Sequence, residues 1–272
     1  MADIYITNTL ERKRQMDITN LDTYNARMAS SIEDKMWFWD KVKHTTDSIV
    51  DYGCADASLL LRINEEHPYQ TLIGYDASDD MLARAKEKTK STPICFVESI
   101  FEPEMEETCL VLSSVIHEIY SYQPKEEAEF ELGMLFDLGA KYIAIRDMGV
   151  RDVCRNVETS IEVLDKIYAR DGVAKVASFE KHHGRISNWA NCIHYLLKAP
   201  YDENWAREVE ENYIPFTMNE VLAQYNIDSP IKYDVVYFEA YTLPYVHERL
   251  IRDYNFGLRA PTHYKLLLER RS

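Results

Sequence analysis

Two stretches decide the fold: Ser48-Ile49-Val50-Asp51-Tyr52-Gly53-Cys54-Ala55-Asp56-Ala57 and Thr71-Leu72-Ile73-Gly74-Tyr75-Asp76. Each is a short apolar run of strand length that ends in small residues or an acid. Between them, Ala57 to Glu66 reads as a helix. After the second, Ser78 stands as an N-cap before Asp79-Asp80-Met81-Leu82, and the helix it opens runs to about Lys88. Strand, helix, strand, helix in this rhythm implies right-handed crossovers and a parallel sheet with helices on both faces.

The pattern extends outward from there. Downstream, residues 94–97, 109–113 and 141–146 read as further strands, with a helix at about 124–138. Upstream, residues 8–44 read as helical, with apolar and aromatic residues at three-to-four spacing through Met28, Ile32, Met36, Trp37, Phe38 and Val42. Residues 151–230 break the rhythm and read as mostly helical, with Trp189, Ile193, Leu196 and Leu197 on one face. Strand patterns return at 233–240 and 264–268. The expected organisation is an N-terminal helical cap (1–45), a Rossmann-like α/β core (46–150 and 231–272) and a helical insertion or lid (151–230). That insertion is too long for an ordinary connection between a strand and a helix, and it is expected above the carboxyl rim of the sheet.

Composition narrows the class. Of 272 residues, 46% are apolar and 12% aromatic, which excludes a disordered chain. No run approaches the ~18 apolar residues of a membrane span, and Met1-Ala2-Asp3-Ile4-Tyr5 lacks the layout of a signal peptide. The cysteines, at 54, 95, 109, 154 and 192, are odd in number and scattered, so reduced thiols in a cytoplasmic protein are expected. The net charge of −15 disfavours long nucleic acid, whose phosphates call for Lys and Arg. Between 98 and 138, eleven acids stand against one base, Lys125, whereas residues 241–272 carry six bases and three acids. The first region would repel a polyanion, while a small anionic molecule, or a short RNA end, suits the second.

In a doubly wound sheet the ligand lies beyond the carboxyl ends of the strands. Asp76 closes the second strand 23 residues after Gly53, where an acid accepts hydrogen bonds from both hydroxyls of a ribose. The alternative is a plain sheet turn with an N-cap aspartate.

These residues carry a resemblance. Ile49 to Ala57 resembles the first motif of class I S-adenosylmethionine-dependent methyltransferases, and Ile73 to Ala85 resembles their second. Val111-Leu112-Ser113-Ser114-Val115-Ile116-His117-Glu118 is similar to the fourth-strand segment of their small-molecule branch. The likeness covers about residues 28–150 and, more faintly, the last two strands. It implies a mostly parallel seven-stranded sheet with the last strand antiparallel, S-adenosylmethionine as cofactor and no metal. By position, it implies Gly53, Cys54 and Ala55 along the methionine part, with Asp51 toward the amino group. Asp76 would take the ribose, Ala77 and Met81 the adenine face, and Glu98 and Ser99 the base edge. Ser113 would form the floor under the sulfonium. The chain departs from the family at Ala55 and Ala57, where glycines are usual, and alanine disfavours positive φ.

Methyl transfer from a sulfonium is an in-line displacement that needs alignment and exclusion of water more than a covalent residue. Candidates for acceptor chemistry are therefore the polar residues at the carboxyl rim: His117 and Glu118 after the fourth strand, Arg146 with Asp147 at the fifth, and His263 at the start of the last. His117 is the first choice for a general base or an acceptor-orienting group. Each has a plainer alternative: helix capping for His117 and Glu118, an internal ion pair for Arg146, a structural role for His263. Trp189, His194, Tyr195, Trp205, Arg207, Tyr213 and Phe216 supply either an acceptor pocket or the insertion's own core. His182, His183 and His194 read as ordinary histidines rather than metal ligands, and Tyr24 and Arg27 as residues that close over the cofactor. The expected activity is methyl transfer to a small anionic or aromatic acceptor. Two rivals stand beside it: a catalytically silent interaction module, and an NAD-dependent oxidoreductase, which lacks its G-x-G-x-x-G turn here.

Overall fold

The computed structural model describes residues 31–224 and 230–271. Tyr24, Arg27 and Met28 lie outside them. Ahead of the sheet come α1 (Ile32–Lys35), a 3-10 turn (Met36–Phe38) and α2 (Trp39–Val42). Strands and helices then alternate through β1 (Ser48–Tyr52), α3 (Ser58–Glu66), β2 (Thr71–Tyr75), α4 (Asp79–Lys88) and β3 (Cys95–Phe96). Next come β4 (Thr108–Ser113), α5 (Ile116–Tyr122), α6 (Lys125–Asp137) and β5 (Tyr142–Met148). The long connection that follows holds α7 (Ile161–His183), interrupted at Gly172, then α8 (Trp189–Lys198), α9 (Trp205–Glu208) and α10 (Met218–Gln224). The chain closes with β6 (Tyr233–Tyr241), α11 (Pro244–Tyr254) and β7 (His263–Arg270).

The sheet order is β3-β2-β1-β4-β5-β7-β6. Pairings from β3 through β5 are parallel, and β7 runs antiparallel to both β5 and β6. This is the Rossmann-like sheet expected above, seven strands with the last reversed. Parallel strands covered on both faces are apolar without alternation, and every residue of β4 is buried. One face packs Ile49, Val111, Ala144 and Leu267 against Trp39, Val42, Leu60 and Ile63 from α2 and α3. The other packs Val50, Leu110, Ile143 and Leu266 against Ile119, Leu132 and Phe136 from α5 and α6.

Local chemistry sets the helix starts. The Ser78 hydroxyl accepts from the Met81 amide at 3.4 Å, with Asp79 and Asp80 in the first turn of α4 and Lys86 and Lys88 in its last. The helices after β5 form a third core with α11, in which Phe179, Ile193 and Leu196 meet Val246 and Leu250. The sequence reading did not anticipate α11. Its signal was there: a proline at the first helical position, then Val246, Leu250 and Tyr254 at four-residue intervals. No helix among the described residues is long and apolar enough to cross a membrane.

Candidate functional site

The turn after β1 is held by a single carbonyl. The amides of Gly53 and Cys54 both donate to the Tyr75 oxygen, at 2.8 and 2.9 Å, tying β1 to the end of β2. Gly53 takes φ +80°, and a Cβ there would lie 3.0 Å from Val115 Cγ2. Ala55 and Ala57 also take positive φ, +47° and +61°. The alanines thus follow the left-handed course that glycines follow freely, at a cost of about 1–2 kcal/mol each. The Asp76 carboxylate accepts from the Ala55 amide at 2.9 Å and from the Ser78 amide at 2.8 Å, so it braces the turn and the start of α4 together.

Under this turn lies a recess of about 20 Å³, bounded by Asp51, Gly53, Cys54, Ala55, Ser113 and, from α1, Lys35. Lys35 is only 7% exposed. Burial and the nearby Arg146 draw its ammonium down to about 8, against the opposing pull of Asp51, Asp56 and Glu118. Burial likewise pushes the Asp51 carboxyl up to about 7, with Lys35 resisting. The Ser113 hydroxyl is buried with no hydrogen-bond partner among the described residues. A buried carboxylate already facing an ammonium, together with an orphaned hydroxyl, is a donor and acceptor set suited to the polar, cationic end of an amino acid. Beyond Asp76, Met81 is buried and Ala77 half-buried, while Glu98 is exposed. The amides of Glu98 and Ser99 both donate to the Glu102 carboxylate, at 3.1 and 2.8 Å.

A second space, about 490 Å³, adjoins the recess. Ser113 lines the recess and Ser114, at φ +61°, lines the larger cavity, while Lys35 lines both. The three polar groups named from sequence meet at this cavity: His117 and Glu118, Arg146, and His263 all form part of its wall. His117 Nδ1 lies 2.7 Å from Asp147 Oδ1, and the His117 amide donates to Oδ2 at 3.2 Å. Burial alone would lower the His117 imidazole, but the Asp147 charge and hydrogen bond outweigh it and hold the ring at about 9. The pairing with Asp147 favours the role of an orienting cation over that of a base. Burial lifts the neighbouring Glu118 carboxyl to about 7.

Arg146 is committed to an ion pair. Its Nε donates to Asp34 at 2.6 Å and its Nη1 to Ser114 Oγ at 2.8 Å. Asp34 also receives Lys265 at 2.7 Å and the Tyr241 hydroxyl at 2.6 Å. His263 stays neutral, held at about 3 by burial with Arg146 adding to the effect, and its Nδ1 lies 2.8 Å from Thr262 Oγ1.

The insertion contributes unevenly. Arg207 and Tyr213 line the cavity, but Tyr195 and His194 belong to the core shared with α11, with Trp189 and Trp205 against it. Phe216 instead joins the core on the sheet, edge-on to Tyr120 at 4.6 Å. His183 and His194 lie 4.3 Å apart, yet His194 Nε2 accepts the Tyr213 amide and His183 Nε2 meets the Val209 carbonyl, so their inner nitrogens are already occupied. Lys35, Tyr201, Tyr245 and Arg249 also line the cavity, and the sequence reading passed over all four.

No family model and no curated protein matches the sequence. Solved structures do. Magnesium protoporphyrin IX methyltransferase from Synechocystis PCC 6803 with bound SAM is 10% identical, with 98% of this chain and 91% of that one covered and a TM-score of 0.49. A SAM-dependent methyltransferase from Anabaena variabilis ATCC 29413 is 13% identical, covering 95% and 98% at a TM-score of 0.49. A plantazolicin methyltransferase, in complex with a triazolic desmethyl analogue and SAH, is 11% identical, covering 92% and 88% at 0.48.

Proposed function

We propose that this chain is an S-adenosylmethionine-dependent methyltransferase acting on a small acceptor held in the 490 Å³ cavity. The observation that carries the reading is the junction of two spaces at consecutive residues. Ser113 faces a recess built from the β1 turn, and Ser114 faces a cavity large enough for a metabolite. A donor site and an acceptor site must meet in this way for transfer in line. When bound, the cofactor supplies an activated methyl group.

The chain's own residues do the rest. Asp76 is set to accept from ribose hydroxyls, and Asp51 to pair with the amino-acid ammonium. Ala77 and Met81 are set against the adenine, with Glu98 and Ser99 at its edge and Gly53, Cys54 and Ala55 along the methionine chain. Ser113 lies at the floor. On the acceptor side, His117 is a fixed cation that orients an acceptor lone pair. Glu118, titrating at about 7, takes the proton from an acceptor that carries one. Arg146 and His263 complete the wall and exclude water.

The test uses S-adenosylmethionine labelled on the methyl group, incubated with the full chain and a pool of metabolites below about 1 kDa. Label in a small-molecule product separated from the cofactor, with stoichiometric S-adenosylhomocysteine, is the expected result. Cofactor binding with no label transferred would instead identify the silent module, and displacement of bound cofactor by NAD the oxidoreductase.

A further inference from the structure

Three cations of the cavity wall have a carboxylate of their own: Arg146 has Asp34, His117 has Asp147, and Arg207 has Glu211 at 2.6 Å. Arg249 makes no ion pair within 4 Å among the described residues, and Asp253, one turn on in the same helix, acts on it only at longer range. Arg249 is 8% exposed, its Nη2 donates to the Leu196 carbonyl at 2.6 Å, and its Nε is buried with no partner. A guanidinium does not shed its charge by deprotonation. The Leu196 carbonyl belongs to the last turn of α8, so the charge is met in part by a helix C-terminus, equivalent to about half an elementary charge. Asp253 meets a further part, and the remainder is left for whatever enters the cavity.

We infer that the acceptor is a carboxylate monoanion whose carboxylate is anchored by Arg249, an inference that rests on the methyltransferase reading above. The ion pairing of the wall favours the monoanion. Among the described residues the cavity offers one guanidinium without an ion-pair partner, with Lys35 at the edge toward the recess, while Glu118, Glu208 and Glu211 share its wall. A single carboxylate balances Arg249. The second charge of a phosphate monoester has no unpaired guanidinium to meet and lies among those three acids. Tyr245, from the same helix, and Tyr201 flank Arg249 in the lining, giving the body of the acceptor apolar ring surface. The carboxylate is thereby a handle held away from the recess, leaving the other end of the acceptor for reaction.

The experiment titrates the full chain, in the presence of S-adenosylhomocysteine, with benzoate, its neutral isostere benzamide, and phenyl phosphate. Benzoate is expected to bind at least tenfold more tightly than benzamide, and phenyl phosphate more weakly than benzoate. Arg249→Met abolishes the preference for benzoate over benzamide. Arg249→Lys, which keeps the charge and a donor for Leu196, retains part of it. A merely structural arginine would change both ligands alike. Equal affinity for benzoate and benzamide, no benzoate binding, tighter binding of phenyl phosphate, or an unchanged preference in Arg249→Met overturns the inference. S-adenosylhomocysteine affinity is measured in the same variants. If the wild type binds it normally but shows no preference for benzoate, the anchor is wrong and the methyltransferase reading stands. If the wild type does not bind it at all, the failure belongs to the underlying reading.

Discussion

The recess beside Asp51 and the cavity beside Arg249 share a boundary at Ser113, Ser114 and Lys35, but they are built from different parts of the chain. The recess is built round one continuous turn, braced by Asp76 and Tyr75 across a single strand pair and closed by Ser113 and Lys35. The cavity draws on α1, α5, the ends of β5 and β7, the insertion and α11. One is nearly filled, at about 20 Å³, and acidic with a lysine set into it. The other is about 490 Å³, lined by both signs of charge, with one guanidinium left over. A local turn specifies what is common to a class of cofactor, and an assembled wall specifies the molecule that receives the group.

If the cavity wall depends on the His117–Asp147 pair, breaking that pair has the largest effect. Asp147→Ala leaves a buried imidazole without its counter-charge and is expected to cost about 3–5 kcal/mol of stability, read from urea unfolding at pH 7. A loss below about 1 kcal/mol would mean that the wall is held elsewhere. The same pair has a definite pH signature. His117 is held at about 9 against an ordinary value of 6.5. Its contribution is therefore complete below about pH 6.5 and fades as the pH rises through 9. The stability gap between wild type and Asp147→Asn should shrink between pH 6 and pH 10, and a gap that widened would reverse the assignment. On the other side of the boundary, Lys35→Ala removes the ammonium opposite Asp51 and is expected to tighten S-adenosylhomocysteine binding about tenfold, roughly 1.4 kcal/mol. Weaker binding would instead make Lys35 a part of the cofactor's own shell. The smallest effect belongs to the turn: Ala55→Gly relieves a positive φ and should stabilise the fold by about 0.5–1 kcal/mol, measured by thermal unfolding. Destabilisation of similar size would show that Ala55 is not strained.

The two regions also differ in how far they could be read from sequence. Strand, turn and terminal acid are close in the chain, so β1, β2, Asp51, Gly53 and Asp76 were legible, as was the meeting of His117, Arg146 and His263 once the topology was assumed. Ala55 and Ala57 raised a doubt that only φ could answer, because propensity says what a residue prefers and not what its neighbours impose. Lys35 and Arg249 were missed for one shared reason. Each lies three residues after an apolar position of its helix, Ile32 and Val246, and thus on the face turned inward. A cation on an apolar stripe reads as a snorkelling surface residue until the opposite wall is known, and that wall comes from α8 and β1. His117 posed the same difficulty, since its charge state is set by Asp147, thirty residues away.

The central claim is that the β1 turn and Asp76 form a cofactor site, and calorimetric titration of the full chain with S-adenosylhomocysteine tests it most directly. The account predicts one site per chain, weakened about 10- to 100-fold in Asp76→Ala, the worth of charge-assisted hydrogen bonds to a ribose. Absence of binding at millimolar ligand, or equal affinity in wild type and Asp76→Ala, would contradict it.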